Sequence, residues 1–202
     1  MLAIFGNKPK LIITKKTFIF LLISLFSTSV FSQFKLTIDG FFTEDDKEYL
    51  VLNYPEKSAE EMYNQTLMFI HSVYKIPDAV INEVKNEMIT VSGFKKDAVG
   101  TGKVLGSYLA VWDLQYTISF QFKDDRVRIN APNFECTGNS DGKETRLVLH
   151  GKNSIVTPTR SLFKKDGKPN MKDSIKMLES FFNDFCTQYD NFIKTKETDD
   201  DW

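Results

Sequence analysis

The chain is 202 residues long, 42% hydrophobic, with 26 basic against 27 acidic side chains and a formal net charge of −1. That composition suits one globular domain with a real core and excludes a disordered polyelectrolyte. Four of the basic residues (Lys8, Lys10, Lys15 and Lys16) and none of the acidic ones precede residue 33, so the remainder holds 22 against 27 and a net charge of −5, which disfavours a nucleic-acid partner.

Those lysines open a targeting segment. An apolar run from Thr17 to Ile23 follows, then small and polar residues, with Val30 and Ser32 placed before a cut ahead of Gln33. This is the pattern of a secretory signal peptide over residues 1–32, and the run is short for a bilayer span; an uncleaved anchor is the alternative. No Cys follows the run, so a lipid-modified N-terminus is not expected. The expectation is an exported chain of 170 residues, periplasmic or secreted, with no integral membrane span after cleavage.

From Gln33 to Asp46 the signal is mixed, and a partly ordered segment is expected before the main domain at 47–195. Glu48–Tyr54 is β-branched and aromatic and reads as a strand ended by Pro55. Ser58-Ala59-Glu60-Glu61 fits a capping box. Behind it Ala59, Met62, Tyr63, Thr66, Leu67, Ile70, Val73 and Tyr74 form a helical stripe. Pro77 ends it, since the residue before a proline avoids helical geometry. His71 lies beside this stripe with no ligand-spaced neighbour. Asp78–Val84 and Met88–Phe94 read as a hairpin around Lys85-Asn86-Glu87. Gly100-Thr101-Gly102-Lys103 departs from the phosphate-loop pattern, because Val104 follows the Lys and no helix begins there; it reads as a linker between hairpins.

The best-patterned stretch runs from Val111 to Ala131. Trp112, Leu114, Tyr116, Ile118, Phe120 and Phe122 alternate with Asp113, Gln115, Thr117, Ser119 and Gln121, so one sheet face packs on a core and the other meets water. Lys123-Asp124-Asp125 forms the turn, and Val127, Ile129 and Ala131 continue the apolar face. Glu135–Asn170, rich in Gly and Lys and containing His150, reads as a long surface loop with room for one added strand at the apolar run Leu147-Val148-Leu149. Met171, Ile175, Leu178, Phe182, Phe185, Tyr189 and Phe192 then mark a long helix capped by Asn170. Met177, Phe181, Cys186 and Ile193 broaden its stripe, as suits a helix on a sheet. Residues 196–202 form an acidic tail. Cys136 and Cys186 are the only cysteines, and an oxidising compartment leaves two readings open: one disulfide, or two separate buried thiols.

The order strand, helix, hairpin, hairpin, helix implies an α+β fold, β-α-β-β-β-β-α, with an antiparallel sheet of about five strands and two helices on one face. Pro55-Glu56-Lys57-Ser58-Ala59-Glu60-Glu61-Met62-Tyr63, Tyr116-Thr117-Ile118-Ser119-Phe120 and Asp124-Asp125-Arg126-Val127-Arg128-Ile129 with Asn133-Phe134 resemble the bacterial exported family described as a domain of unknown function with a TATA-binding-protein-like fold. The resemblance covers Tyr49–Phe134, and the last helix by position. That family's usual turn is Asp-Gly, where this chain has Asp124-Asp125. The resemblance implies a fold and carries no activity with it.

For function, the polar face of the central hairpin is the candidate: Gln115, Thr117, Ser119, Gln121, Arg126, Arg128 and Asn130. Arg126 and Arg128 are suited to a carboxylate or phosphate. The expected role is a non-catalytic binding or accessory module of the cell envelope, for an unidentified envelope protein or small ligand, acting as a monomer and using no cofactor or metal. The alternatives are an envelope hydrolase whose carboxylate pair the spacing does not reveal, and an accessory that oligomerises through its last helix.

Overall fold

The computed structural model describes residues 33–140, 143–151 and 158–195; the expected leader and the acidic tail lie outside the described residues. In chain order the elements are β1 (Lys35–Thr37), β2 (Gly40–Phe42), β3 (Tyr49–Asn53), α1 (Ala59–Val73), a 3-10 turn (Pro77–Ala79), β4 (Ile81–Val84), β5 (Met88–Val104), β6 (Ser107–Lys123), β7 (Arg126–Asn130), β8 (Asn133–Ser140), β9 (Lys143–Val148), β10 (Thr159–Ser161) and α2 (Lys172–Thr195). The α+β class stands, but the sheet is larger than the periodicity suggests. It has eight strands, antiparallel except for the β9–β10 pair.

β6 is the strand around which the sheet is built. β5 pairs with it on one side from Met88↔Gln121 to Val104↔Ser107, interrupted by a bulge between Lys95 and Val99. On the other side β8 pairs with Asp113–Thr117 and β7 with Phe120–Lys123, so β6 has two successive neighbours. The changeover falls at Ala131-Pro132, where proline has no N–H to give a ladder. β3 flanks β7, while β9 and β10 extend the sheet beyond β8.

Every apolar residue of the β6 alternation is buried on the inner face, with Ile89 and Val91 of β5, Val127 and Ile129 of β7 and Leu50 and Leu52 of β3. Both helices cover that face. Tyr63 of α1 meets the Phe122 ring at 5.7 Å between centroids, and Tyr189 of α2 meets Phe120 at 4.8 Å. The α1 stripe is turned further toward α2 than its spacing suggests. Phe69 is buried against Phe185, Tyr189 and Phe192, while Val73 is exposed. Gly93 of β5 is required by a close approach: a Cβ there would lie 2.2 Å from the Tyr116 ring, whose hydroxyl meets that of Tyr74 at 2.7 Å.

Three expectations need correction. Residues 33–46, expected as a partly ordered segment, hold β1 and β2, which form a hairpin that buries Phe34, Leu36 and Phe41. Asn183 of α2 grips Phe34 at both backbone groups, accepting from its N–H and donating to its C=O, each at 2.9 Å. Glu179 accepts the Leu36 N–H at 2.9 Å. Nor is Gly100–Lys103 a linker. It continues β5 opposite Val111–Tyr108, and Ser174 of α2 donates to the Gly100 carbonyl. A two-residue turn at Leu105-Gly106, both at positive φ, then closes the hairpin. Finally, 135–170 is not one loop, because β8 runs to Ser140 and β9 and β10 follow.

Local details also differ from expectation. Ser58 accepts the Glu61 N–H at 3.1 Å, but the Glu61 carboxylate turns to Lys57 and Gln65, so only half of the capping box forms. Asn170 donates through Nδ2 to the Ser161 carbonyl, tying β10 to the start of α2. In the β6–β7 turn Asp125 sits at φ +66°, a conformation Asp tolerates. Its carboxylate accepts the Glu56 N–H at 2.7 Å, and that of Asp124 accepts the Ala59 N–H at 2.9 Å. Two carboxylates thus hold the entry to α1.

Candidate functional site

Among the described residues, no helix covers the outer face of the sheet. Strand register sorts its side chains into rows, because residues directly opposite in an antiparallel pair share a face. One row runs Tyr49, Asn130, Ser119, Thr90; the next Val51, Arg128, Gln121, Met88; the third Asn53, Arg126, Lys123. No acidic side chain stands in these three rows, so an acidic chain has a cationic corner here.

The rows are linked by hydrogen bonds. Asn130 donates through Nδ2 to Ser119 Oγ at 2.8 Å, and Arg128 donates through Nε to Asn130 Oδ1 at 2.8 Å. The Arg128 guanidinium lies 3.9 Å above the centre of the Tyr49 ring, a cation–π contact that draws it from β7 over β3. Its two terminal NH₂ groups make no hydrogen bond among the described residues. The Arg126 side chain makes no hydrogen bond or ion pair among the described residues and is exposed. Such a fixed guanidinium can take a carboxylate or phosphate with little further loss of rotamer freedom.

The seven candidate residues therefore fall into two groups. Ser119, Gln121, Arg126, Arg128 and Asn130 gather against β7. Gln115 and Thr117 lie beyond the changeover, opposite Glu135 and Asn133 of β8, and line a shallow depression of about 750 Å³ with Val80, Ser92 and Phe94. Tyr49 and Lys123 belong to the first group although sequence reasoning did not place them there. The period-two pattern of β3 put Tyr49, Val51 and Asn53 on one face, but nothing local named β7 as their neighbour.

Other chemistry-bearing residues are dispersed. His71 is exposed on α1. His150 lines a groove of about 840 Å³ at the β7–β8 changeover with Glu48, Glu135 and Arg146. Arg146 there donates to Glu144 at 2.8 Å, and no hydrogen bond joins the groove's titratable groups into a nucleophile–base pair among the described residues. Cys136 on β8 and Cys186 on α2 are free and buried, so of the two readings the structure takes that of separate thiols. Burial pushes both thiols up to about 12, which keeps them protonated at neutral pH. No cluster of three metal-ligating side chains occurs among the described residues. No helix among them is long and apolar enough to cross a membrane.

No family model matches the chain, and no curated protein matches it. Two solved structures are similar. One is a TBP-like protein from Parabacteroides distasonis ATCC 8503, 19% identical with a TM-score of 0.46, the match covering 71% of this chain and 91% of that one. The other is a DUF4468 family protein from Bacteroides ovatus ATCC 8483, 10% identical with a TM-score of 0.44, covering 70% and 84%. Neither name states an activity.

Proposed function

We propose that this protein is a non-catalytic binding module of the bacterial cell envelope, acting through the outer face of its sheet. The observation that supports this reading is the Tyr49–Arg128–Asn130–Ser119 chain. Core packing does not require it, since all four residues lie on the face away from the helices, yet it fixes a cation in an exposed place. The lysine-rich, apolar N-terminal pattern supplies the envelope part of the proposal. The test is affinity capture from intact, crosslinked cells with the full chain and its Arg126→Gln/Arg128→Gln double variant. The proposal expects a discrete partner or ligand whose recovery falls at least about tenfold in the variant, as loss of a charge-assisted contact implies. Stability should change by no more than about 1 kcal/mol, the scale of an exposed cation–π contact. Equal recovery from both proteins would remove the face's claim.

A further inference from the structure

The eight-stranded sheet ends on one side at β3, which pairs with β7 and with no further strand among the described residues. The Ala131 N–H donates to Glu48 O, and the Tyr54 N–H donates to Asp125 O. Even-numbered residues of this stretch therefore turn their backbone groups to β7, and Tyr49, Val51 and Asn53 turn theirs outward. Those outward groups meet no partner among the described residues.

Sheet edges are ordinarily blunted by charge, proline, bulges or shortness. β4, with exposed Glu83, and the three-residue β10, with exposed Arg160, follow that habit. β3 does not. Its sequence Tyr-Leu-Val-Leu-Asn contains no charge and no proline, its register with β7 runs without a bulge, and Val51 is 42% exposed. A strand with these properties is a template for another strand.

Resting on the binding reading above, the geometry points to a more specific partner: an extended peptide segment with acidic side chains at alternate positions, added to the sheet alongside β3. Hydrogen bonds to Tyr49, Val51 and Asn53 would hold its backbone. Its outer-face side chains would stand about 4.8 Å beyond β3. Arg128 reaches toward them already, because its guanidinium lies over Tyr49 rather than over its own strand. Arg126 stands one row below, opposite Asn53, and Lys123 beyond it. A flat anionic surface would meet the cations but leave the backbone edge unused, so the two features together favour a peptide.

The experiment is fluorescence anisotropy with the full chain and a short labelled peptide alternating Thr and Glu. Two N-methylated forms of the peptide, one for each alternate set of amides, test the backbone contact without altering the protein. Only one edge of an added strand faces β3, so one N-methylated form should lose binding and the other should keep it. Val51→Pro removes an outward N–H and leaves the β7 ladder intact; it should weaken binding about tenfold or more. Arg128→Gln, and a peptide with Gln in place of Glu, should each weaken it about five- to tenfold, the scale of a charge-assisted bond. Equal binding by both N-methylated forms would reduce the contact to diffuse charge attraction and overturn the inference. So would absence of binding, or Val51→Pro-sensitive self-association, which would place a second copy on the edge. Capture of an envelope component that depends on Arg126 and Arg128 but not on Val51→Pro would preserve the binding reading while removing this partner.

Discussion

Cys136 stands opposite Leu147 on the inner face of the sheet and Cys186 lies in the buried stripe of α2, and desolvation raises both thiols from 9.0 to about 12. The folded chain therefore keeps protons that the unfolded chain releases as pH rises. The sign follows from linkage: this contribution is fully present below about pH 9 and is lost as pH climbs toward 12. Burial moves the phenols of Tyr54, Tyr74, Tyr116 and Tyr189 in the same direction. Thermal melts should thus show a Tm that falls steadily between about pH 9 and 12. A thiol reagent should label neither cysteine in the native protein and both after unfolding; a labelled native cysteine would contradict the burial. At this scale the sequence was only half legible. Two buried thiols and a disulfide are written with the same two letters, and only the placement of α2 against β8 decides between them. Tyr49 likewise looked like an ordinary strand residue until Arg128 was seen lying on its ring.

Elements with local patterns were legible, and those made by distant pairing were not. The alternation from Trp112 to Phe122 spans a strand whose two faces differ sharply in polarity, and α2 repeats large apolar residues at helical spacing. β8, β9 and β10 show no such contrast. Thr137–Ser140 and Lys143–Thr145 are polar on both faces, and β9 gains its place by pairing with β8 rather than by burying a row of large side chains. The β1–β2 hairpin is a similar case, because α2 side chains complete its backbone hydrogen bonds. Asn183→Leu tests that account. It leaves the buried N–H and C=O of Phe34 without partners, a loss of roughly 2–4 kcal/mol from unsatisfied groups. Limited proteolysis should then cut within Thr43–Lys47 faster than in the parent, with far-UV circular dichroism preserved. Unchanged cleavage would mean that Phe34, Leu36 and Phe41 hold the hairpin by packing alone.

Across the molecule the two faces of the sheet have different tasks. The inner face carries the core, receiving α1, α2 and the β1–β2 hairpin. The outer face carries a cation held by one hydrogen bond and a ring, beside an edge strand with no charge or proline of its own. A one-residue slip of β6 would exchange these faces and expose six large apolar side chains, so core packing itself keeps the polar rows outward. The central claim is that those rows meet a partner. Its most direct test is photo-crosslinking in intact cells with a crosslinking residue in place of Gln121, which is exposed beside Arg128 on that face, against one in place of exposed Asn64 on α1. A discrete adduct from position 121 and none from position 64 is the predicted result. No adduct from position 121, or the same adducts from both positions, would contradict it.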